Sequence, residues 1–223
     1  METQNKKSRA QIIKQTIGLL LLLVVLPGGS WIYLRNGLDY RIEALEELKD
    51  YGKVPAGLVL PTQASDEPLT SEYLRGTVTV SSYLPETPEG QQRLVEVYTK
   101  LHEQFDEHDD VLLLTYTQSD STQDLKARAQ ALGLIDGEQW RLVQLPAETS
   151  AADYFQANYA LPAELAAGMA THPYVVLVDT SLTVRHFYDG AENKDMGRLV
   201  EHIALILPRK PEKDIIFQRE QEK

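Results

Sequence analysis

Cysteine is absent from all 223 residues. That excludes disulfides, thiol catalysis, thiolate metal sites and a lipid-modified cysteine within this chain. It does not mark a compartment, because oxidising and reducing locations both tolerate cysteine-free proteins. A basic surplus is lacking as well. The formal net charge is −11, which argues against a nucleic-acid partner, since that would call for a basic stripe. No internal repeat is present, and no G-x-S-x-G elbow marks a serine hydrolase. Hydrophobic residues make up 43% and charged residues 25%, an ordinary balance for a chain able to bury a full core.

Charge is distributed unevenly. Lys6, Lys7, Arg9 and Lys14 stand against Glu2 in the first sixteen residues, a net +3 that leaves −14 for the remainder. Ile17–Leu34 then carries no charge and includes the run Leu19–Leu26, with Trp31 and Tyr33 near its far end. Eighteen uncharged residues reach the length needed to cross a bilayer, and the aromatic rings suit its interface. Pro27-Gly28-Gly29-Ser30 interrupts this run, so a cleaved signal peptide is the rival to an uncleaved anchor. The division expected is a cytoplasmic segment 1–16, a transmembrane anchor 17–35, a juxtamembrane helix and linker 36–56, a folded domain 57–208 and a charged tail 209–223. The positive-inside bias places the folded domain on the extracytoplasmic side.

Within the domain, the stretch Gly76–Leu94 reads as a strand, a proline-bearing loop and the start of a helix. Thr77-Val78-Thr79-Val80 is β-branched throughout, which suits a strand. Thr87 can cap a helix whose first residue is Pro88, and Leu94, Val97, Tyr98, Leu101 and Phe105 share one helical face. Val111–Tyr116 and Val175–Val178 read as strands buried on both faces. Ser119–Thr122 can start a second helix, with Leu125, Ala129 and Leu132 inward and Gly133 as its stop. Trp140–Leu145 reads as a short or edge strand, Ala151–Tyr159 as a helix, and Leu182–Tyr188 as an antiparallel partner after a turn at Thr180-Ser181. Leu199, Ile203 and Leu207 form the inner face of a last helix. The order is βαβα, a connecting region, then ββα.

This order, with a proline just before the third main strand, resembles a thioredoxin-like fold, an α/β class with a central mixed sheet flanked by helices. Leu74–Val80 resembles the strand before the redox loop of membrane-tethered thioredoxin-like proteins. Asp120–Lys126, with Ala129, Leu132-Gly133 and Trp140, resembles a segment of the Sco/SenC family. His172, followed by the strand Tyr174–Val178, Asp179 and the Leu182–Tyr188 hairpin, matches that family's C-terminal histidine region. The resemblance covers about Val54–Leu207. It implies an envelope-facing, membrane-anchored protein of the kind that serves as copper chaperone and thiol reductant in cytochrome c oxidase assembly. The family's site is a CPxxCP-type pair plus a histidine. Here Ser82–Pro88 takes the position of the pair, leaving Pro85 and Pro88 from the motif. His172-Pro173 also resembles the cis-proline site of general thioredoxins.

Copper(I) prefers soft thiolate or thioether ligands. Met169 and His172, as Met-Ala-Thr-His, make at most a weak partial site, and two ligands do not specify a metal. The expectation is therefore no cofactor and no catalytic residue. His102, Asp106 and His108 read as a solvated helix face, Asp179 and Asp189-Gly190 as turn residues, and His186 as a satisfied strand residue. Ser81 or Ser82 with His172 would be the elements of a hydrolase. The function expected is non-catalytic binding or assembly in the envelope, with Ser82, Tyr83, Leu84, Pro85 and Pro88 as an interaction loop for a protein partner. The alternative is a metal chaperone or an enzyme using His172 and the 81–88 loop.

Overall fold

The computed structural model describes residues 9–63, 68–118, 122–134, 137–146 and 148–208. The tail from 209, the first eight residues and the expected helix start at Ser119–Ser121 lie outside the described residues. The chain forms two units, divided between Glu47 and Leu48.

The described part of the first unit is helical: α1 (Arg9–Leu20), a π-helical turn (Leu21–Val25) and α2 (Leu26–Glu47). Its stretch Thr16–Glu47 is long and apolar enough to cross a membrane. Pro27–Ser30, which interrupt the apolar run, do not interrupt the helix. Pro27 has no N–H to give to the preceding turn and its ring crowds the carbonyl four residues back. The π turn just before it widens the backbone there, so the helix continues. The expected juxtamembrane helix of 36–56 is helical as far as Glu47, as the continuation of α2 rather than as a separate helix.

The second unit is built on a five-stranded sheet of order β5-β4-β3-β6-β7, made of β3 (Val78–Tyr83), β4 (Val111–Thr117), β5 (Trp140–Gln144), β6 (Tyr174–Val178) and β7 (Val184–Asp189). β3, β4 and β5 run parallel, while β6 is antiparallel to β3 and β7 to β6. The continuous apolar runs of β4 and β6 follow from their positions, since each lies inside the sheet with both faces covered. Side chains alternate between those faces. One face takes Val78, Val80, Leu113, Val175 and Leu177 and is covered by α4 (Pro88–Phe105) and α8 (Asn193–Ile206). Leu94, Val97, Tyr98, Leu101 and Phe105 of α4 are all buried, each contributing roughly 1.5–3 kcal/mol of apolar transfer. The other face takes Tyr83, Leu112, Leu114, Tyr116, Val176 and Val178 and is covered by α6 (Ala151–Tyr159) and α7 (Ala163–Ala166). On the flank, α5 (Thr122–Ala131) sets Leu125 and Ala129 against Leu142.

The segment 48–63 closes both edges of this sheet. Lys49, Tyr51 and Val54 donate backbone N–H groups to Arg185, Val184 and Leu182 beside β7. At the opposite edge Thr62 bridges Val143, and Gln63 brackets β5 by giving its side-chain amide to the Trp140 carbonyl and accepting from the Leu142 N–H. Residues 48–56 thus belong to the folded domain, where the sequence suggested a linker. Edge closure of this kind removes unpaired strand groups that would otherwise template aggregation. A two-stranded pair, β1 (Val59–Leu60) with β2 (Leu69–Thr70), and the short α3 (Ser71–Leu74) complete the domain.

Candidate functional site

The loop between β3 and α4 lies at the carboxyl end of the central strand, where α/β sheets commonly place their chemistry. It is short and tightly held. Leu84 extends the parallel ladder by donating its N–H to the Tyr116 carbonyl (2.8 Å). Glu86 donates its N–H to the Ala170 carbonyl (2.7 Å). Thr87 gives its hydroxyl hydrogen to the Thr171 carbonyl (3.2 Å) and accepts from the Gly90 N–H (3.3 Å), which caps α4. Gly90 is the residue that permits this approach. A Cβ there would stand 2.7 Å from Pro85 Cβ, 2.8 Å from Thr87 Oγ1 and 3.0 Å from the Thr171 carbonyl oxygen.

The expected interaction loop is consequently not a surface of apolar anchors. Ser82, Tyr83, Leu84 and Pro85 are buried, and only Glu86, Pro88 and Glu89 are exposed, with Thr87 between. Tyr83 packs into the face covered by α6 and Leu84 into the face covered by α4 and α8. β3 continues to Tyr83, so strand alternation drives successive side chains into opposite cores. Burial, followed by the nearby Glu86 carboxylate, raises the Tyr83 phenol above its ordinary value, with Arg128 opposing.

A second layer joins the loop to the end of β7. His172 Nε2 meets Asp189 Oδ1 at 2.6 Å, and the imidazole lies against the Tyr174 ring. Asp189 Oδ1 also accepts from the Ala191 N–H, and the Asp189 N–H is given to Asp195. Arg93 of α4 donates to the Gly190 carbonyl (2.9 Å), the Ala191 carbonyl (3.2 Å) and Asn193 Oδ1 (2.7 Å). Gly190 donates its N–H to the Pro173 carbonyl (2.8 Å), and a Cβ at Gly190 would strike that same carbonyl. The sequence reading missed Arg93 and the role of Asp189. An arginine on the exposed side of a helix carries no local sign of a partner 97 residues away.

The sequence candidates are thus dispersed. Met169 is buried in the core under α6, while His172 is only partly buried and turned to Asp189. Ser81 lies inside the sheet, donating to the Tyr159 hydroxyl, and Ser82 donates to the Tyr83 carbonyl. Neither serine is directed to His172, so no nucleophile–base pair is assembled. No peptide bond is cis among the described residues, and His172-Pro173 therefore departs from the cis-proline likeness. His102 faces Gln139 and His108 packs on Phe105, which separates the three residues of that helix face. Asp179 organises the hairpin turn by accepting from the Ser181 and Thr183 N–H groups.

Copper, which the Sco resemblance would imply, does not fit these groups. The thioether is enclosed in the apolar core, thiolates are missing, and the single imidazole that is left does not specify a metal. No group of three His, Cys, Asp or Glu able to hold a metal occurs among the described residues. Disulfide exchange needs a thiolate nucleophile, and the hydroxyls here are no substitute.

Beneath the loop lies a cluster of phenols. Tyr116 and Tyr159 share a hydrogen bond of 2.5 Å, and their rings pack with Tyr154 and Phe155. Burial raises the Tyr116, Tyr154 and Tyr159 phenols above their usual range. On the opposite face Tyr98 donates between strands toward the Val80 and Leu114 carbonyls (both 3.3 Å), and burial raises its phenol too. His202 is a further buried polar residue that the periodicity did not single out, 2.6 Å from the Tyr188 hydroxyl.

No family model matches the chain and no curated protein matches its sequence. Solved structures match well in shape. BsSco, a member of the Sco family of cytochrome c oxidase assembly proteins, superposes with a TM-score of 0.57 at 15% identity, over 73% of this chain and 97% of that one. A SCO1/SenC family lipoprotein from Bacillus anthracis gives 0.57 at 17% identity, over 72% and 98%. The thioredoxin domain of a thiol-disulfide oxidoreductase from Bacteroides vulgatus gives 0.50 at 11%, over 71% and 99%. The likeness shows the fold, which is thioredoxin-like, in a chain that has no cysteine.

Proposed function

We propose that this chain is a membrane-tethered, non-catalytic thioredoxin-fold protein that acts by binding, as an assembly factor on the extracytoplasmic side. The observation that carries this reading is the state of the β3–α4 loop. In a fold whose neighbours include a thiol-disulfide oxidoreductase, this loop holds no thiol. It is tied to 170–171 through the Glu86 N–H and the Thr87 hydroxyl, and its apolar side chains are spent on the two cores. A rigid loop with an exposed rim of Glu86, Pro88, Glu89, Thr171 and half-exposed His172 is suited to contact, because little ordering entropy is lost on binding. The likeness to BsSco, described as belonging to a family of cytochrome c oxidase assembly proteins, supports a respiratory oxidase as the assembly served. The long apolar helix supports the tether, and the basic N-terminal segment supports the orientation.

Two measurements test the reading. The purified domain should reduce insulin disulfides no faster than a boiled control; turnover in protein free of contaminating reductase overturns the non-catalytic assignment. Reporter fusions after Leu60 and after Leu207 should both report an extracytoplasmic location. A cytoplasmic signal from either contradicts the orientation.

A further inference from the structure

We infer that two copies of this chain associate in parallel through the stalk of α2, the part of the long helix beyond its uncharged run. The inference rests on the tethered reading for its geometry. Eighteen uncharged residues, Ile17–Leu34, span about 27 Å as a helix, which accounts for the hydrocarbon layer. α2 then continues from Arg35 to Glu47. Leu38, Ile42 and Leu45 are 59%, 45% and 50% exposed on this extension. Leu45 stands about 16 Å beyond Leu34, past the reach of lipid tails.

These three residues do not scatter. Steps of four and three put Leu38, Ile42 and Leu45 on one stripe, which Trp31 and Arg35 extend toward the membrane with the same alternation. Intervening positions are Asn36, Gly37, Asp39, Tyr40, Arg41, Glu43, Ala44, Glu46 and Glu47. The spacing is that of core positions in a two-stranded coil. The π turn at Leu21–Val25 lies upstream, so the register is unbroken through the stripe. Arg35, the polar member, leans toward Asp39 at 4.0 Å, and a single polar core position of this kind specifies register.

The charges flanking the stripe identify the partner as a second copy. In a parallel pair, the residue just before a core position faces the partner residue five places on. From Arg41 that residue is Glu46, of opposite sign, and the two-fold axis forms the contact twice. Within their own chain neither Arg41 nor Glu46 has an ion-pair partner among the described residues. Parallel orientation follows because both copies enter the membrane from the same side.

The lack of native cysteine makes the test direct. Single substitutions Leu38→Cys, Ile42→Cys, Leu45→Cys, Tyr40→Cys and Glu47→Cys are made in the full chain and oxidised mildly in native membranes. The stripe positions should give disulfide-linked dimer, and Tyr40→Cys and Glu47→Cys, on the opposite side of the helix, should remain monomeric. In the Leu45→Cys background, Arg41→Glu should reduce the dimer severalfold, and adding Glu46→Arg should restore it. Cross-linking that is absent, or equal on both sides of the helix, overturns the dimer wherever the chain sediments. Stripe-specific cross-linking in a chain that washes out of membranes with carbonate would retain the dimer and remove the tether.

Discussion

The two faces of the sheet arrange their buried phenols differently. Under α4 and α8 the core sets Val80, Leu94, Leu113, Leu177, Leu199 and Ile203 around the rings of Tyr98, Phe105, Trp140 and Tyr188. Under α6 an equally aliphatic core gathers its phenols together, with Tyr116, Tyr154 and Tyr159 beside Phe155 and Tyr83 in the same cluster. Both faces bury phenols that stay buried only while neutral, Tyr98 on the first and Tyr116, Tyr154 and Tyr159 on the second, and the second gathers them into one hydrogen-bonded cluster. The β3–α4 loop is fixed to both, through Tyr83 on one side and Leu84 on the other. The difference teaches that the loop leans on a concentrated phenol cluster through Tyr83 and on a largely aliphatic wall through Leu84.

The largest effect that would expose this contrast is alkaline unfolding. The Tyr116, Tyr154 and Tyr159 phenols are raised by burial in the fold and ordinary when unfolded. Above pH 10 the unfolded chain therefore binds fewer protons than the native one, so stability is intact below pH 10 and falls as pH rises. Each phenol takes away about 1.4 kcal/mol per pH unit. Urea midpoints measured from pH 8 to 11 should be flat and then drop steeply. A curve still flat at pH 11 would refute the protonated phenolic core. Replacing Leu84 by Ala comes next, at about 2–5 kcal/mol for a buried leucine, and its cost should be the same at pH 7 and pH 9.

Much of this was legible beforehand. Thr87 and Pro88 announce the start of α4, the periodicity from Leu94 to Phe105 gives its buried face, and the runs at Val111 and Val175 mark the inner strands. Local pattern sufficed because each of those signals lies within a few residues. Tyr83 and Leu84 were misread as exposed, since the sequence does not show that β3 extends to the loop or that both faces are covered there. His172 with Asp189, Arg93 with Gly190, and the closing of β7 by residues 49–54 join segments far apart in the chain, which periodicity does not report.

Gly90→Ala tests the loop from outside both cores. Its methyl must displace Pro85, Thr87 or the Thr171 carbonyl, at about 1–3 kcal/mol by overpacking. Faster hydrogen exchange at the Glu86 amide should accompany it, and unchanged exchange would show that the loop accommodates the methyl without opening. Tyr159→Phe removes hydrogen bonds to Ser81 and Tyr116 and should cost about 1–2 kcal/mol, while making the alkaline limb shallower. The smallest effect belongs to His172→Ala. That pair with Asp189 is about a third exposed, and its loss should change stability by about 1 kcal/mol or less.

The central claim is that the loop rim is a contact surface, and reversing its charge tests that most directly. Glu86 and Glu89 are exposed and outside both cores, so Glu86→Lys with Glu89→Lys should leave the domain folded, lowering stability by about 1 kcal/mol through the lost acid at the start of α4 and easing Tyr83 ionisation slightly. Proteins recovered with the full chain from gently solubilised membranes are quantified for wild type and the double variant. The account predicts that a protein recovered in stoichiometric amount with wild type is lost from the variant. Recovery of that protein in equal yield from both would contradict it.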